Sequence, residues 1–187
     1  PLRLVGSEMC IRDSKSPLAL WQANDVADQI RASFPEVQVE IVGLSTEGDR
    51  NRVAALSEIG GKGVFVKELE IALQTGDADF AVHSTKDVPA ELPDGLALVA
   101  LCQRGDPRDA FVANGYAGLA ELPPGAKIGS SSLRRCLQLA KAYPQLVFEN
   151  LRGNVETRLK RLDNGDFQGI ILASAGLARL GLSLIHI

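Results

Sequence analysis

The chain has few of the residues that build metal sites, disulfide frameworks or stacking surfaces. Of its 187 residues three are cysteine and two are histidine, and aromatic residues make up 5%. The cysteines form no CxxC pair and have no neighbouring histidine, which disfavours both a disulfide framework and a structural zinc site. No apolar run is long enough to cross a bilayer, and no basic-then-apolar leader opens the chain. We therefore expect a cytoplasmic protein without a membrane partner.

Charge is abundant, and its sign changes along the chain. Residues 1–126 carry 11 basic and 19 acidic groups, whereas residues 127–187 carry nine basic and four acidic groups. A basic second half predicts a surface that attracts anions. The cations are mostly single arginines without aromatic neighbours, a pattern that favours a small polyanion over nucleic acid.

After residue 14, apolar periodicity and turn residues alternate in a βα pattern. Helices are predicted from Pro17, over Phe65–Leu73, and from starts near Ser132, Asn154 and Ala175. Strands are predicted at Val37–Val42, Phe80–His83, Leu96–Leu101, Ala110–Val112, Lys127–Gly129, Leu146–Asn150 and Gly169–Ala173. This alternation implies an α/β fold with mainly parallel sheets flanked by helices.

The polar, turn-rich run Arg104–Asp109 predicts a hinge between two domains, 15–102 and 103–182. Residues 1–14 show neither helical nor strand periodicity, and residues 183–187 add an unrelated apolar tail after a helix signal. We expect both ends to be non-native, with frayed native termini as the alternative. The polar, glycine-bearing run Ser45–Lys62 predicts a mobile loop.

A Lys-Asp pair follows one of the predicted strands directly. Lys86 and Asp87 come after the apolar run Phe80–His83, and Pro89 then breaks the chain. Ligands of open α/β sheets lie beyond the carboxyl ends of the strands, so this acid and base are candidates for chemistry. A surface ion pair at a strand end is the alternative.

Three further strand-to-helix junctions carry arginines. They are Gly129–Arg135, Leu151–Arg158 and Ser174–Arg179. In a parallel sheet these junctions would lie along one edge, where helix N-termini and guanidinium groups favour anions. An ordinary N-cap explains any one serine-rich helix start, but three arginine-bearing junctions predict an extended site for several carboxylates or phosphates.

Other motifs indicate less. The run Gly60–Gly63 is not a phosphate loop, because Leu56 and Gly63 stand where glycine and Ser or Thr are required, which disfavours a nucleotide-binding enzyme. His83 is interpreted as a hydrogen-bonded core histidine. Cys102 and Cys136 are interpreted as buried small apolar residues.

Several long motifs resemble those of the hydroxymethylbilane synthase, or porphobilinogen deaminase, family. The resemblance runs from about Lys15 to Leu182. It is carried by the runs Ser16–Ala23, Gly60–Glu70, His83–Pro89, Asp106–Phe111, Ser131–Arg135, Leu151–Val155 and Thr157–Leu159.

This resemblance implies a fold and a reaction. The expected fold has two domains that resemble type II periplasmic binding proteins, with Asp87 on one wall of a cleft and the arginines on the other. The reaction joins four porphobilinogen molecules head to tail with loss of ammonia, giving the linear tetrapyrrole hydroxymethylbilane of haem biosynthesis. The growing polypyrrole is held on a dipyrromethane cofactor, and a monomer is expected.

The resemblance also implies roles for individual residues. Asp87 matches the catalytic aspartate, and Lys86 is placed to hold carboxylates. The implied cofactor-binding residues are Lys86, Asp87, Ser84, Ser131, Ser132, Arg134, Arg135, Arg152 and Arg158. The implied substrate-binding residues are Ser16, Lys62, Arg152, Arg158 and Arg179.

The chain also departs from the family. The family attaches its cofactor to a cysteine in a third domain, and we expect this sequence to lack that cysteine, since neither Cys102 nor Cys136 stands in its motif. Ser14 stands where the family has an arginine. We expect that the chain alone neither holds the cofactor covalently nor turns over.

A non-catalytic ligand-binding domain, such as a transporter's solute receptor or a regulator's sensor domain, is the rival interpretation, although such a receptor for anions gains nothing from Asp87.

Overall fold

The computed structural model describes residues 8–14, 16–44 and 67–182. The chain divides into two compact units, Pro1–Gln103 and Arg104–Ile187. Each unit is built from a sheet and the helices that cover it, so the α/β fold class is confirmed. The loop predicted at Ser45–Lys62, the Gly60–Gly63 run and the tail at 183–187 lie outside the described residues.

The first unit contains a three-stranded parallel sheet in the order β2-β1-β3. Its elements are β1 (Glu8–Ser14), α1 (Pro17–Ser33), β2 (Gln38–Leu44), α2 (Lys67–Thr75) and β3 (Phe80–Ala81).

Helix α1 begins where the sequence predicts. Ser16 is its N-cap, with an oxygen that accepts from the backbone N–H of Ala19 at 3.3 Å, and Pro17 is preset for the first helical turn. Ala23 and Ala27 recur one turn apart and are fully buried against Ile11 of β1. Their small side chains allow the helix to approach the sheet closely.

The second unit contains a four-stranded sheet in the order β4-β7-β5-β6. Strands β5, β6 and β7 are parallel, and β4 is antiparallel to β7. Its elements are β4 (Asp109–Val112), β5 (Lys127–Gly129), α3 (Leu133–Ala142), β6 (Val147–Glu149), α4 (Val155–Asp163), β7 (Gly169–Ala173) and α5 (Ser174–Arg179).

Strand β7 is buried on both faces. Ile170 and Leu172 belong to one apolar cluster, whereas Ile171, between them, belongs to a second cluster. Successive side chains of a strand point to opposite faces, so helices or loops must cover this sheet on both sides. This explains why the run Gly169–Ala173 is apolar without alternation, as buried parallel strands are.

Two expectations about secondary structure are wrong. Residues 1–14 show no strand periodicity, but Glu8–Ser14 forms the middle strand of the first sheet, with Ile11 fully buried. A middle strand gains backbone hydrogen bonds on both edges and needs no alternating pattern. The strand predicted at Leu96–Leu101 is not formed, because no described strand offers it backbone partners. The side chains of Leu98, Val99 and Leu101 are exposed.

Candidate functional site

In the first unit, the candidate acid and base lie on a tight turn after β3. Residues Thr85–Asp87 form one 3₁₀ turn, in which the Asp87 N–H donates to the Ser84 carbonyl at 2.9 Å. The side chains of Lys86 and Asp87 are exposed, and neither forms a hydrogen bond or ion pair with another described residue. The two side chains are therefore not the surface ion pair that was the alternative interpretation.

Ser84 and Ser16 lie at the same edge of the first sheet. Ser16 follows β1 and Ser84 follows β3, and these strands are parallel, so both serines come after carboxyl ends. The Ser84 hydroxyl donates to Gln22 Oε1 of α1 at 3.2 Å, which ties the turn to the helix. His83 is half-buried, not a core residue, and its Nδ1 lies within hydrogen-bonding distance of the Ser84 carbonyl, at 3.2 Å.

In the second unit, the three arginine-bearing junctions share one edge of the sheet. Strands β5, β6 and β7 are parallel neighbours, so the chain leaves each of them on the same side. Helix α5 follows β7 directly, and short loops lead from β5 into α3 and from β6 into α4. The sequence-based prediction that these junctions lie along one edge of a parallel sheet is confirmed. We call this feature the arginine edge, and it comprises Gly129–Arg135, Leu151–Arg158 and Ser174–Arg179.

Serines and a half-buried cysteine build the start of α3. Ser132 is the N-cap, and its hydroxyl accepts from the Arg135 N–H at 3.5 Å. Ser130 is buried, and its hydroxyl accepts from the Ser132 N–H at 3.3 Å. Ser131 is half-buried, and its side chain has no hydrogen-bond partner among the described residues. Cys136 is half-buried, with Sγ 3.7 Å from the Ser130 carbonyl, whereas Cys102 is exposed and not buried as predicted.

Arg134 and Arg135 share one carboxylate. Asp109 Oδ1 accepts from Arg135 Nη2 at 2.6 Å, and Asp109 Oδ2 lies 3.4 Å from Arg134 Nη2. Arg135 Nη1 also donates to the Ile171 carbonyl at 3.4 Å. Only 12% of the Arg135 side chain is exposed, compared with 63% for Arg134. Arg135 is therefore a packed cation and Arg134 an accessible one.

The remaining arginines differ in how they are held. Arg152 is half-buried, and its buried Nη1 has no hydrogen-bond partner among the residues that the structure describes. Arg158 Nε donates to the Gly153 carbonyl at 2.8 Å, at the N-terminus of α4. A Cβ atom built on Gly105 would lie 3.8 Å from Nη2 of Arg179, so the Arg179 guanidinium lies beside the loop that leads into β4.

Asp106 and Arg108 shape that loop. Both carboxylate oxygens of Asp106 accept from the Arg108 guanidinium, at 2.6 and 3.0 Å, and Oδ1 also accepts from the Arg108 N–H at 2.9 Å. The side-chain hydrogen bond from Arg108, more than any other contact, lowers the pKa of Asp106 to about 2. The same hydrogen bond raises the pKa of Arg108.

Sequence reasoning missed the carboxylate that joins the arginine pair. Asp109 stands in the Asp106–Phe111 run, but no local signal shows that it would meet residues 25 and 26 positions away. It also missed Ser130 and Gln22, which support Ser132 and Ser84. Lys62, an implied substrate contact, lies outside the described residues. Within the described ranges, no group of three or more His, Cys, Asp or Glu side chains could hold a metal ion, and no helix is long and apolar enough to span a membrane.

These features define an α/β protein of two units, one bearing an exposed acid–base turn and the other an arginine edge. Residues 9–186 match the family model described as "Porphobilinogen deaminase, dipyromethane cofactor binding domain". The chain belongs to the porphobilinogen deaminase family, which confirms the resemblance.

Curated relatives named porphobilinogen deaminase agree with this assignment. The chain is 57% identical over 176 residues to one from Chromobacterium violaceum, and 53% identical over 176 residues to one from Laribacter hongkongensis. Each alignment covers 94% of this chain and 57% of the relative. The chain thus spans little more than half the length of these relatives.

Solved structures with a similar chain path are distant in sequence. The periplasmic VFT2 domain of Bordetella pertussis BvgS has a TM-score of 0.49 and 16% identity, over 89% of this chain and 66% of that domain. A periplasmic substrate-binding protein of an ABC transporter from Coxiella burnetii has a TM-score of 0.47 and 14% identity, over 94% of this chain and 75% of that protein.

Proposed function

We propose that this chain supplies the cofactor- and substrate-binding part of a hydroxymethylbilane synthase, which condenses four porphobilinogen molecules with loss of ammonia. Porphobilinogen carries acetate and propionate side chains, so the growing product is a polyanion. The observation that carries the proposal is the arginine edge, where three parallel junctions present guanidinium groups along one side of the sheet. Family membership indicates which polyanion they bind.

The residues of the arginine edge fit a dipyrromethane, which is itself a polycarboxylate. The buried Nη1 of Arg152 and the buried Nε of Arg135 lack partners among the described residues, and a buried donor left unpaired costs about 1–3 kcal/mol. A ligand carboxylate would satisfy such a donor. When bound, the dipyrromethane supplies the pyrrole end that is extended. The residues that would hold it are Ser84, Lys86, Asp87, Ser131, Ser132, Arg134, Arg135, Arg152 and Arg158, and those that would hold porphobilinogen are Ser16, Lys62, Arg152, Arg158 and Arg179.

Asp87 would contribute by charge and by hydrogen bonding. Its carboxylate has no partner within the described residues, so it is available to accept from a pyrrole N–H. The same charge would stabilise the positive charge that develops when ammonia leaves porphobilinogen. Lys86, exposed beside it, would offer a cation to a ligand carboxylate.

The chain alone is proposed to bind ligand without turnover. Cys136 Sγ lies 3.7 Å from the Ser130 carbonyl and Cys102 lies in the exposed segment after residue 96. We propose that neither of them attaches the cofactor. A cytoplasmic monomer without a nucleic-acid partner belongs to the same proposal. Light scattering during gel filtration tests the monomer.

Calorimetric titration of the chain with porphobilinogen tests the binding role. We expect Arg152→Gln to raise the Kd about tenfold or more, because a charge-assisted hydrogen bond contributes about 1.5–3 kcal/mol. Lys160→Gln is the matched control, since Lys160 is exposed on α4, and it should change the Kd less than about twofold. Equal affinities for the Arg152→Gln and wild-type chains would remove Arg152 from the site.

The catalytic role requires a complete enzyme. In a chimera that completes this chain with the rest of the Chromobacterium violaceum relative, Asp87→Asn should lower turnover by about 100-fold or more, since it removes the stabilising charge. Asp94→Asn removes another exposed carboxylate of the same unit and should leave turnover unchanged. Near-normal porphobilinogen consumption by the Asp87→Asn chimera would exclude Asp87 from the mechanism.

A further inference from the structure

Asp109 is the one described carboxylate that forms ion pairs with two arginines of the arginine edge. It lies 2.6 Å from Arg135 Nη2 and 3.4 Å from Arg134 Nη2. Two guanidinium groups on consecutive residues repel each other, and a carboxylate between them offsets that repulsion. The arrangement brings together residues from the first strand and the first helix of the second unit.

The backbone fixes where Asp109 lies. Because β4 runs antiparallel to β7, its first residue pairs with Ala173, the last residue of β7, and so lies at the carboxyl edge of the parallel strands. The Arg108 carbonyl accepts from the Ser174 N–H at 3.1 Å, which ties the entry of β4 to the start of α5. The Asp106 carboxylate closes the preceding turn on Arg108. Asp109 is thus held from both sides before its side chain reaches the arginines.

The two arginines depend on Asp109 to different degrees. The Arg135 side chain is 12% exposed, and a cation removed from water needs a counter-charge to remain in place. The other hydrogen bond of its guanidinium, to the Ile171 carbonyl, is long at 3.4 Å. Arg134 is 63% exposed and its contact with Asp109 is long, so it can turn toward a ligand at little cost.

We propose that Asp109 is a positioning residue for anion binding: it holds Arg135 in a fixed orientation and keeps Arg134 beside it. The ligand's carboxylates then meet one preorganised guanidinium, that of Arg135, with the mobile Arg134 beside it, and need not order Arg135 on binding. This proposal rests on the proposed function for the identity of the ligand. The ordering of Arg135 by Asp109 does not depend on the identity of the ligand, so this ordering and the proposed function can fail separately.

The first measurement needs no ligand. Nitrogen-15 relaxation of the arginine Nε–H groups in the full chain should give Arg135 an order parameter near that of rigid backbone, about 0.85, and Arg134 one below about 0.6. Asp109→Asn should bring Arg135 to the range of Arg134, while Asp109→Glu should restore part of the order. A mobile Arg135 in the wild-type chain overturns the proposal without any variant, and so does an Arg135 that stays rigid in a folded Asp109→Asn chain.

The second measurement is the affinity for porphobilinogen. Asp109→Asn should raise the Kd about fivefold to tenfold, with partial rescue in Asp109→Glu. The matched control is Asp166→Asn, which breaks an exposed pair with Arg161 in the same unit and should change neither readout. Disorder of Arg135 with an unchanged Kd overturns the proposal. A third outcome is that Asp109→Asn disorders Arg135 but even the wild-type chain does not bind porphobilinogen. That outcome supports the ordering of Arg135 by Asp109 and counts against the proposed function.

Discussion

At the scale of single residues, two Asp–cation patterns that look alike in sequence behave differently. Lys86 and Asp87 are adjacent in a 3₁₀ turn, where successive side chains point about 120° apart, and they do not pair. Asp106 and Arg108 are two positions apart, and there the carboxylate reaches both the backbone N–H and the guanidinium of Arg108. Separation in the sequence alone does not show which acid stays available for a ligand.

This difference predicts a titration. The Asp106 carboxyl should titrate with a pKa of about 2, and Arg108→Gln should return the pKa toward its ordinary value, because the side-chain hydrogen bond from Arg108 is the largest cause of the shift. Since the folded-state pKa is lowered, the pair stabilises the protein above the ordinary carboxyl pKa, and this contribution is lost as the pH falls through about 2. Carbon-13 NMR of the carboxyl group measures it. An unshifted Asp106 in the wild-type chain would contradict the geometry.

At the scale of elements, whether a segment forms a strand depends more on a neighbouring strand to pair with than on its local sequence pattern. Glu8–Ser14 lacks periodicity but forms the middle strand of its sheet, whereas the apolar run Leu96–Leu101 has no described partner and forms none. The runs Lys127–Gly129 and Gly169–Ala173 are strands over the residues that the sequence predicts. These runs lie between turn residues in a βα repeat, and tertiary pairing agrees with local preference there.

Packing between strands predicts a destabilising substitution. A Cβ on Gly169 would overlap the Phe111 ring of β4 and lie 3.3 Å from Ile128 Cδ1 of β5. Gly169→Ala should therefore lower the free energy of unfolding by about 1–3 kcal/mol, as overpacking of a core does. Thermal unfolding measures the change. Gly118→Ala is the control, since a Cβ there meets nothing within 4 Å and the backbone is extended, and equal Tm values for the two variants would contradict the packing.

At the scale of the whole molecule, the sign of the charge separates the two units. The unit that begins at Arg104 carries 11 basic and seven acidic residues, although the chain as a whole has a net charge of -3. The excess cations concentrate where three strands end side by side. A protein acidic overall can in this way present one cationic surface to an anionic ligand.

The affinity for porphobilinogen should therefore depend on salt. Raising sodium chloride from about 0.05 M to about 0.5 M should raise the Kd about fivefold or more, because screening shortens the reach of exposed charges such as Arg134. Calorimetric titrations over that range measure the change in Kd. Constant Tm values over the same range would show that salt weakens binding and does not destabilise the fold. A Kd that does not change with salt would argue against recognition through arginines.

By itself, the sequence determined the α/β class, two strands to the residue, the helix starts at Pro17 and near Ser132 and Asn154, the arginine-bearing junctions and the family. These features depend on local preference and on residue types that stand close together in the chain. Only the tertiary structure decided that β4 runs antiparallel to β7, that Glu8–Ser14 completes a sheet, and that Asp109 joins two arginines. The physical reason is that strand direction and ion pairing between distant residues depend on which backbones lie side by side, and no local pattern specifies this.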